Sequence, residues 1–364
     1  MESSTLDPRA VIVVPCTDIA NALQFYCDQH GFRVERISPA EAPRLAIVVG
    51  YGLRLQLDCE HSGPAPTIHI ETTHLAESEQ SSFSGPDGTM LHRVAPPSIK
   101  LPPLQPQLEI SRFTNAEWVT GRAGMRYRDL IAKRQGGRFI ASHIHIPQGG
   151  PVPDYVHYHA VRFQMIYCYR GWVRVVYEDQ GEPFVLRSGD CVLQPPMIRH
   201  QVLESSDDLE VIELGSPAVH DTYGDLHLQL PNSKTDGNRQ WQGQQFVRHQ
   251  AERANWKQST RAGWESWEYR DSGIANATSG LASVVVNRDN PQQTSHNNNT
   301  GPALHEDELL FLFVLCGELV LACPDAYKLR AKDAMTIPQG TSYGFSEVAP
   351  GSEILEIRVA ARPV

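Results

Sequence analysis

The chain repeats itself. Trp118, Arg122-Ala-Gly124 and Tyr127-Arg-Asp129 return as Trp256, Arg261-Ala-Gly263 and Tyr269-Arg-Asp271, the last two at offsets of 139 and 142 residues. Gly171 and Gly317 lie 146 apart, and Pro195 and Pro338 lie 143 apart. One offset, adjusted by small loop insertions, carries the register across four landmarks, which points to a duplicated domain. Whatever one copy folds into, the other must fold into as well. The 364 residues leave room for two copies and one smaller module.

From Leu108 onward, short β-rich runs alternate with Gly, Pro and Asp turns, and helical patterning nearly vanishes. That pattern predicts sandwich or barrel architecture. The copies are placed at 108–220 and 246–361, joined by a polar, Gln/Asn-rich linker over 221–245. Residues 8–97 read differently. Val11 to Val14 form a strand, and Asp18 is an N-cap before Ile19, Leu23 and Phe25-Tyr26 at helical spacing, closed by Gly31. Strands are expected over 32–37, 45–50, 53–57, 67–70 and 90–94, with turns at Tyr51-Gly52 and Pro86-Asp87-Gly88. A Pro-rich linker, 98–107, follows Pro96-Pro97. The fold class expected is mainly β: two jelly-roll barrels behind a small α+β domain.

Composition narrows the partners. Lys and Arg number 32 against 42 Asp and Glu, a net charge of −10, which argues against nucleic acid or an anionic membrane. The longest apolar run, Leu309 to Cys316, is eight residues, too short for a bilayer. No basic-then-apolar leader opens the sequence, and seven cysteines occur without a CxxC pair. A reduced, cytoplasmic protein with a small-molecule substrate is expected, with a homodimer as a further expectation.

The first copy carries the chemistry. His157-Tyr-His159 is followed by Gln164 and Gly171, and Gly189-Asp190 leads through Pro195 to His200. Residues two apart in a strand share a face, so His157 and His159 project together, and a third imidazole from a neighbouring strand can complete the set. Three neutral imidazoles suit Fe, Ni, Zn, Cu or Mn. His143-Ile-His145 is a second H-x-H without the downstream pattern and reads as packing. Cys168 and Cys191 read as buried apolar residues.

These two segments resemble the paired motifs of the cupin superfamily over both copies, which implies a bicupin. By that resemblance His157, His159 and His200 fall on metal-ligand positions. Gln164 stands where a Glu is usual and Met197 where a Gly is usual. Gln164 could still ligate through its carbonyl oxygen; otherwise the centre has three His, as in gentisate-type bicupin dioxygenases. In the second copy the corresponding places hold Ala303, His305, Leu310 and Tyr343. One ligand of four survives there, so that barrel should be structural, and its Asn297-Asn-Asn299 loop points the same way. The amino-terminal stretch resembles a module of the vicinal-oxygen-chelate (glyoxalase/bleomycin-resistance) superfamily through Asp18, Ala22, Phe25-Tyr26, His30-Gly31-Phe32 and Pro86-Asp87-Gly88. It lacks a ligand among Val11 to Val14. His92 alone cannot hold a metal there, so this glyoxalase-like module is expected to be structural or substrate-shaping.

Around the expected metal, Tyr155, Tyr158, Tyr167, Tyr169 and Tyr177 cluster with Arg162, Arg170 and Arg199. Strand parity puts Gln164, Ile166 and Cys168 inward and Tyr167 and Tyr169 outward. Arg199, beside His200, is the arginine expected to act on substrate, together with Gln164. The function expected is an Fe(II) dioxygenase for a small chelating substrate, an aromatic diol, carboxylate or keto acid. Zn, Mn or Ni are alternative ions. A non-redox isomerase or lyase, or a binding protein without turnover, are the alternative functions.

Overall fold

A computed structural model describes residues 9–72, 81–95, 99–290 and 300–361. The chain divides into two compact units, Met1–Ser98 and Ile99–Val364. Pro96-Pro97 and Asn297-Asn-Asn299, read above as linker and loop, lie outside the described residues.

In the first unit a four-stranded sheet runs in the order Ile12–Pro15, Leu53–Asp58, Leu45–Gly50, Arg33–Ser38. The Asp18 carboxylate accepts the N–H groups of Ala20 and Asn21 at 2.9 and 3.3 Å, satisfying donors that a helix start leaves open. The helix Ile19–Leu23 widens into a π-turn over Gln24–Gln29 and buries Ile19, Ala22, Phe25 and Tyr26 in one cluster with Val14, Leu55 and Val48. Tyr51 and Gly52 both take positive φ, 54° and 77°, as a two-residue hairpin requires. Thr67–Glu71, Met90–Val94 and Ser82–Ser84 form a separate three-stranded sheet. The turn before Met90 is tied back by Asp87, whose carboxylate accepts from the Thr17 N–H and hydroxyl at 3.0 and 2.7 Å.

The second unit holds two β-barrels with matching topology. Each has a large sheet and a smaller one facing it. The duplication is visible rung by rung. Gly171 and Gly317 both sit at φ 79°, and a Cβ on either would meet a serine hydroxyl, Ser206 or Ser352, at 2.3 Å. Only glycine fits both requirements. His157 pairs opposite His200 in the first barrel, and Ala303 opposite Tyr343 in the second. The outer faces of the two large sheets pack on each other through residues such as Phe163, Tyr167, Ile212, Phe311, Phe313 and Leu355.

The barrels exchange edges. The strand Glu109–Ser111, which precedes the first barrel, pairs with Ala334–Ile337 of the second. Val247–His249, which precedes the second, pairs with Cys191–Leu193 of the first. Each crossing is pinned alike: Asp333 accepts the N–H of Phe113 at 2.8 Å, and Asp190 that of Ala251 at 2.7 Å. The boundaries drawn at 108 and 246 therefore each assign an edge strand to the barrel whose sheet it does not complete. Tight packing replaces the expected open linkers. Gln105 N–H donates to Gln135 O, and the 221–245 segment contributes the strand Thr222–Gly224 and a hairpin with buried Trp241.

The interiors differ. In the first barrel Val175 pairs opposite Val202, and in the second Leu321 opposite Phe345. Trp267 stands two residues before Tyr269, where the first copy has Met125 before Tyr127. Larger side chains on the same rungs fill the second barrel, with Trp264 and Trp267 fully buried. The first is left with a cavity of about 420 Å³. Among the described residues no helix is long and apolar enough to cross a membrane.

Candidate metal centre

His157 and His159 lie on the short strand His157–His159, and His200 opens the strand His200–Ser205 directly opposite His157. The shared pleat brings one ligand nitrogen of each to within 4.8 Å of the others, the one such three-residue group among the described residues. The ring centroids of His157 and His200 are 4.3 Å apart, and His159 lies 5.2 and 5.3 Å from the two. In each ring Nδ1 already has a partner. His157 Nδ1 is 2.8 Å from Tyr155 O, His200 Nδ1 3.1 Å from Ile198 O, and His159 Nδ1 2.8 Å from Thr222 Oγ1. A carbonyl can only accept, so Nδ1 of His157 and His200 donates and leaves Nε2 as a lone pair, and the Thr222 hydroxyl can accept from His159 in the same way, the arrangement that orients histidine ligands.

The imidazoles are held neutral. Burial pushes the His159 pKa down to about 3, and the positive forms of His157, His220 and Arg122 add to the effect. His200 is driven well below its ordinary value by burial and then by His157 and His159. Burial lowers His157 too, against the opposing pull of the Tyr155 carbonyl and Asp154. Neutral, preoriented imidazoles are what a divalent cation needs.

Gln164 lines the cavity, but its side-chain N–H donates to Glu213, which also lines it. Glu213 restores a carboxyl to the pocket one rung from Gln164, opposite Ile166 and Ser142. Burial raises its pKa, partly offset by the Gln164 hydrogen bond, His220 and Arg122. Gln194, 1% exposed, also faces the cavity, and neither its amide nitrogen nor its carbonyl oxygen has a partner. An unmatched buried amide is costly, so a polar ligand has a place waiting. The donor set fits a divalent cation with a polar molecule beside it.

Arg199 is placed elsewhere. It precedes His200 and so points to the opposite side: its guanidinium sits 4.2 Å over the Tyr158 ring and donates to Asp225 at 3.2 Å. It is not among the residues lining the cavity. Arg122 is. Its Nη2 donates to Asp154 at 2.5 Å and lies 3.5 and 3.1 Å from the two ring nitrogens of His157. Such nearly equal distances place it over the ring face, clear of the in-plane Nε2 lone pair. Asp154 is fixed by the N–H groups of Tyr155 and Val202, both at 2.9 Å.

Of the clustered tyrosines, Tyr155 and Tyr177 line the cavity, whereas Tyr167 and Tyr169 pack between the barrels. Ile166 lines the cavity and Cys168 belongs to the first barrel's interior, as parity requires. Arg162 pairs with Glu308 of the second barrel at 2.8 Å, and Arg170 lies on the surface near Asp208 and Glu210. His143 is wholly buried, 2.6 Å from Glu210 and packed on Trp118 and Phe313. Met197 takes φ 67°, so the turn keeps the shape that glycine would favour.

Glu213 and Arg122 each left a trace in the sequence. Glu213 is a lone acid on the inward side of an apolar strand, 143 residues before Glu356. Arg122 belongs to the repeat itself. In the second barrel Arg261 and Arg358 clamp Glu356 at 2.8 and 2.7 Å, and Arg358 donates to the Tyr343 hydroxyl at 2.6 Å. His305 is buried with Nε2 3.0 and 2.9 Å from the carbonyl oxygens of Ile337 and Pro338. In the amino-terminal unit His92 stands opposite His69, their rings 5.2 Å apart, with Ser82 Oγ 2.9 Å from His92 Nδ1.

No family model matches the sequence, and no curated protein is detectably similar to it. Solved structures are similar in fold. A single-residue variant of oxalate decarboxylase from Bacillus subtilis superposes with a TM-score of 0.51 at 12% identity, covering 74% of this chain and 81% of that one. Protein Ylba from E. coli gives 0.50 at 11% identity, covering 71% and 93%. With the rung-by-rung duplication, these likenesses establish the fold as two cupin-type β-barrels in tandem.

Proposed function

We propose that the chain is a divalent-metal enzyme, and more finely an Fe(II) dioxygenase acting on a small chelating substrate. The observation that carries this is the triplet of imidazoles with every Nδ1 engaged and one ligand nitrogen of each within 4.8 Å of the others. When bound, the ion supplies a Lewis-acidic centre, redox-active if iron, with coordination positions open to a chelating anion. His157, His159 and His200 would hold it. With three neutral ligands its charge stays uncompensated, which favours a phenolate-carboxylate or keto acid. Arg122, lying over the His157 ring at the cavity wall, is the cation placed to meet the anionic group. Glu213 can hold a proton beside Gln164, and Gln194 offers both a donor and an acceptor.

A carboxyl of raised pKa in the same cavity as the three histidines also favours a second reading, a non-redox isomerase or lyase in which Glu213 moves a proton and Zn, Mn or Ni serves as the ion. The amino-terminal module, glyoxalase-like by its motifs, would be structural or substrate-shaping without holding metal.

Metal analysis of untagged protein tests the common part. One ion per chain, lost in His157→Ala, is expected; a wild type without metal refutes it. Oxygen uptake during turnover of aromatic diols and keto acids separates the two chemistries. Uptake matching turnover supports the dioxygenase, and turnover without it supports the isomerase or lyase. Tight metal with no turnover of any substrate would leave a binding protein.

A further inference from the structure

The cavity of the first barrel has two ends of opposite character, and the strand register shows where one gives way to the other. On the large sheet, the rung of Gln164 ends in Ile140 across Gly215, and the next sets Glu213 between Ile166 and Ser142, so each carries hydrogen-bonding groups beside one isoleucine. The next two rungs are Val211 opposite Ile144 and Leu209 opposite Ile146, both lining the cavity. On the facing sheet, Tyr177 stands opposite His200, and the following rungs lead to Val175 opposite Val202 and then to Val173. The facing sheet therefore turns to hydrocarbon within two rungs of His200, and the large sheet turns one rung beyond Glu213.

This apolar end is hollow because its side chains are small. The second barrel has Leu321 and Phe345 where the first has Val175 and Val202, and both belong to a cluster of buried side chains with Trp264 and Trp267 in its interior. The same rungs thus accept larger side chains. An empty apolar space forfeits the contacts that close packing supplies, so a hollow of about 420 Å³ is poorly suited to a purely structural barrel. At the other end, the unpartnered amide of Gln194 marks unfilled hydrogen-bonding capacity.

We propose, on the reading of the site as a metal centre, that its ligand is an amphiphile. Its head would chelate the ion that His157, His159 and His200 would hold, and would hydrogen-bond Gln194. Its hydrocarbon body, several carbons long, lies along Val175, Val202, Ile144 and Val211. A dianion as small as oxalate, the compound in the structural neighbour's name, has no carbon–hydrogen surface to bury there. Exclusion of water from the apolar rungs would favour a longer body over a shorter one.

The test is calorimetric binding of 2-oxo acids, from pyruvate to 2-oxodecanoate, with oxalate as the headgroup control, to wild-type protein loaded with redox-silent Zn(II). Affinity should rise by up to about fourfold for each added methylene and level off once the apolar rungs are covered. Val202→Phe, which copies the second barrel, should shorten the chain length at which affinity levels off while zinc content stays the same. Gln194→Leu should weaken every member of the series by a similar factor. A flat series on zinc-loaded protein, or oxalate binding as tightly as the longest acid, overturns the inference. Protein that takes up no zinc instead refutes the metal reading on which it rests.

Discussion

Glu213 and Glu356 occupy the same rung of the two barrels, opposite Ile166 and Ser142 in one and opposite Leu312 and Val285 in the other. Their surroundings send them in opposite directions. Glu213 accepts from the Gln164 amide, and burial raises its pKa. Glu356 is buried as well, but Arg261 and Arg358 overcome that burial and hold its pKa at about 2. One carboxyl is kept ready to carry a proton; the other is locked as the anion of a salt bridge.

Replacing each should therefore have unequal consequences. Glu356→Ala takes the carboxylate from Arg261 and leaves Arg358 with Asp307, and should cost about 3–5 kcal/mol. Glu213→Gln substitutes an uncharged group for a carboxyl that burial already favours in its neutral form, and should cost about 1 kcal/mol or less. Urea unfolding of the two variants checks the contrast, and metal content should be unchanged in folded Glu356→Ala.

Thr222 belongs to the segment expected to be a linker, yet its hydroxyl sits 2.8 Å from His159 Nδ1. Thr222→Val keeps the shape and removes the hydrogen bond that orients the ring. Metal affinity should fall by about 10–100-fold, read by competition with a chromophoric chelator, with the far-ultraviolet spectrum unchanged.

The metal-free protein should lose stability as pH falls below the ordinary histidine value. His157, His159 and His200 all have folded pKa values below 6.5, that of His159 at about 3, so the unfolded chain binds more protons between those limits. Their contribution is fully present above pH 6.5 and is lost toward the folded value, at up to about 1.4 kcal/mol per pH unit for each ring that titrates. Glu213, with its pKa raised, works the other way, losing stability as pH rises from 4.5, but it is one group against three. Melting temperatures of metal-free protein from pH 8 to pH 5 should decline, and bound Zn(II) should oppose the decline.

Asp190 and Asp333 hold equivalent crossings, so Asp190→Ala and Asp333→Ala should each destabilise by about 1.5–3 kcal/mol. A similar loss from either aspartate, measured by thermal unfolding, would show that both crossings bear load. A loss from one alone would show that the symmetry is only geometric.

Much of this was legible in the sequence, and for definite reasons. The pairing of His157 with His200 and of Ala303 with Tyr343 follows from repeat offsets that survive because strands cannot slip by one residue without turning inside out. Asp18, Gly31 and Tyr51-Gly52 announced local structure because their side chains or φ values act on their own neighbours. Arg199 shows the limit. Adjacency to His200 in sequence means opposition in a strand, so parity sends it outward. Arg122 enters from a segment 35 residues before His157, and Gln194 is an ordinary residue whose meaning lies in lacking a partner. Neither property is local. The exchanged strands escaped notice for the same reason: nothing in Glu109–Ser111 says which barrel it will complete.

That exchange has a consequence for the history of the chain. Two copies that have traded edges can no longer be cut apart, because each half would leave with a strand that the other's sheet requires. The second barrel cannot be discarded, whatever becomes of its interior. Its Trp, Leu and Phe filling could change over generations so long as the space stays full. Its outer border answers to the neighbour. The second copy persists as half of the first one's frame.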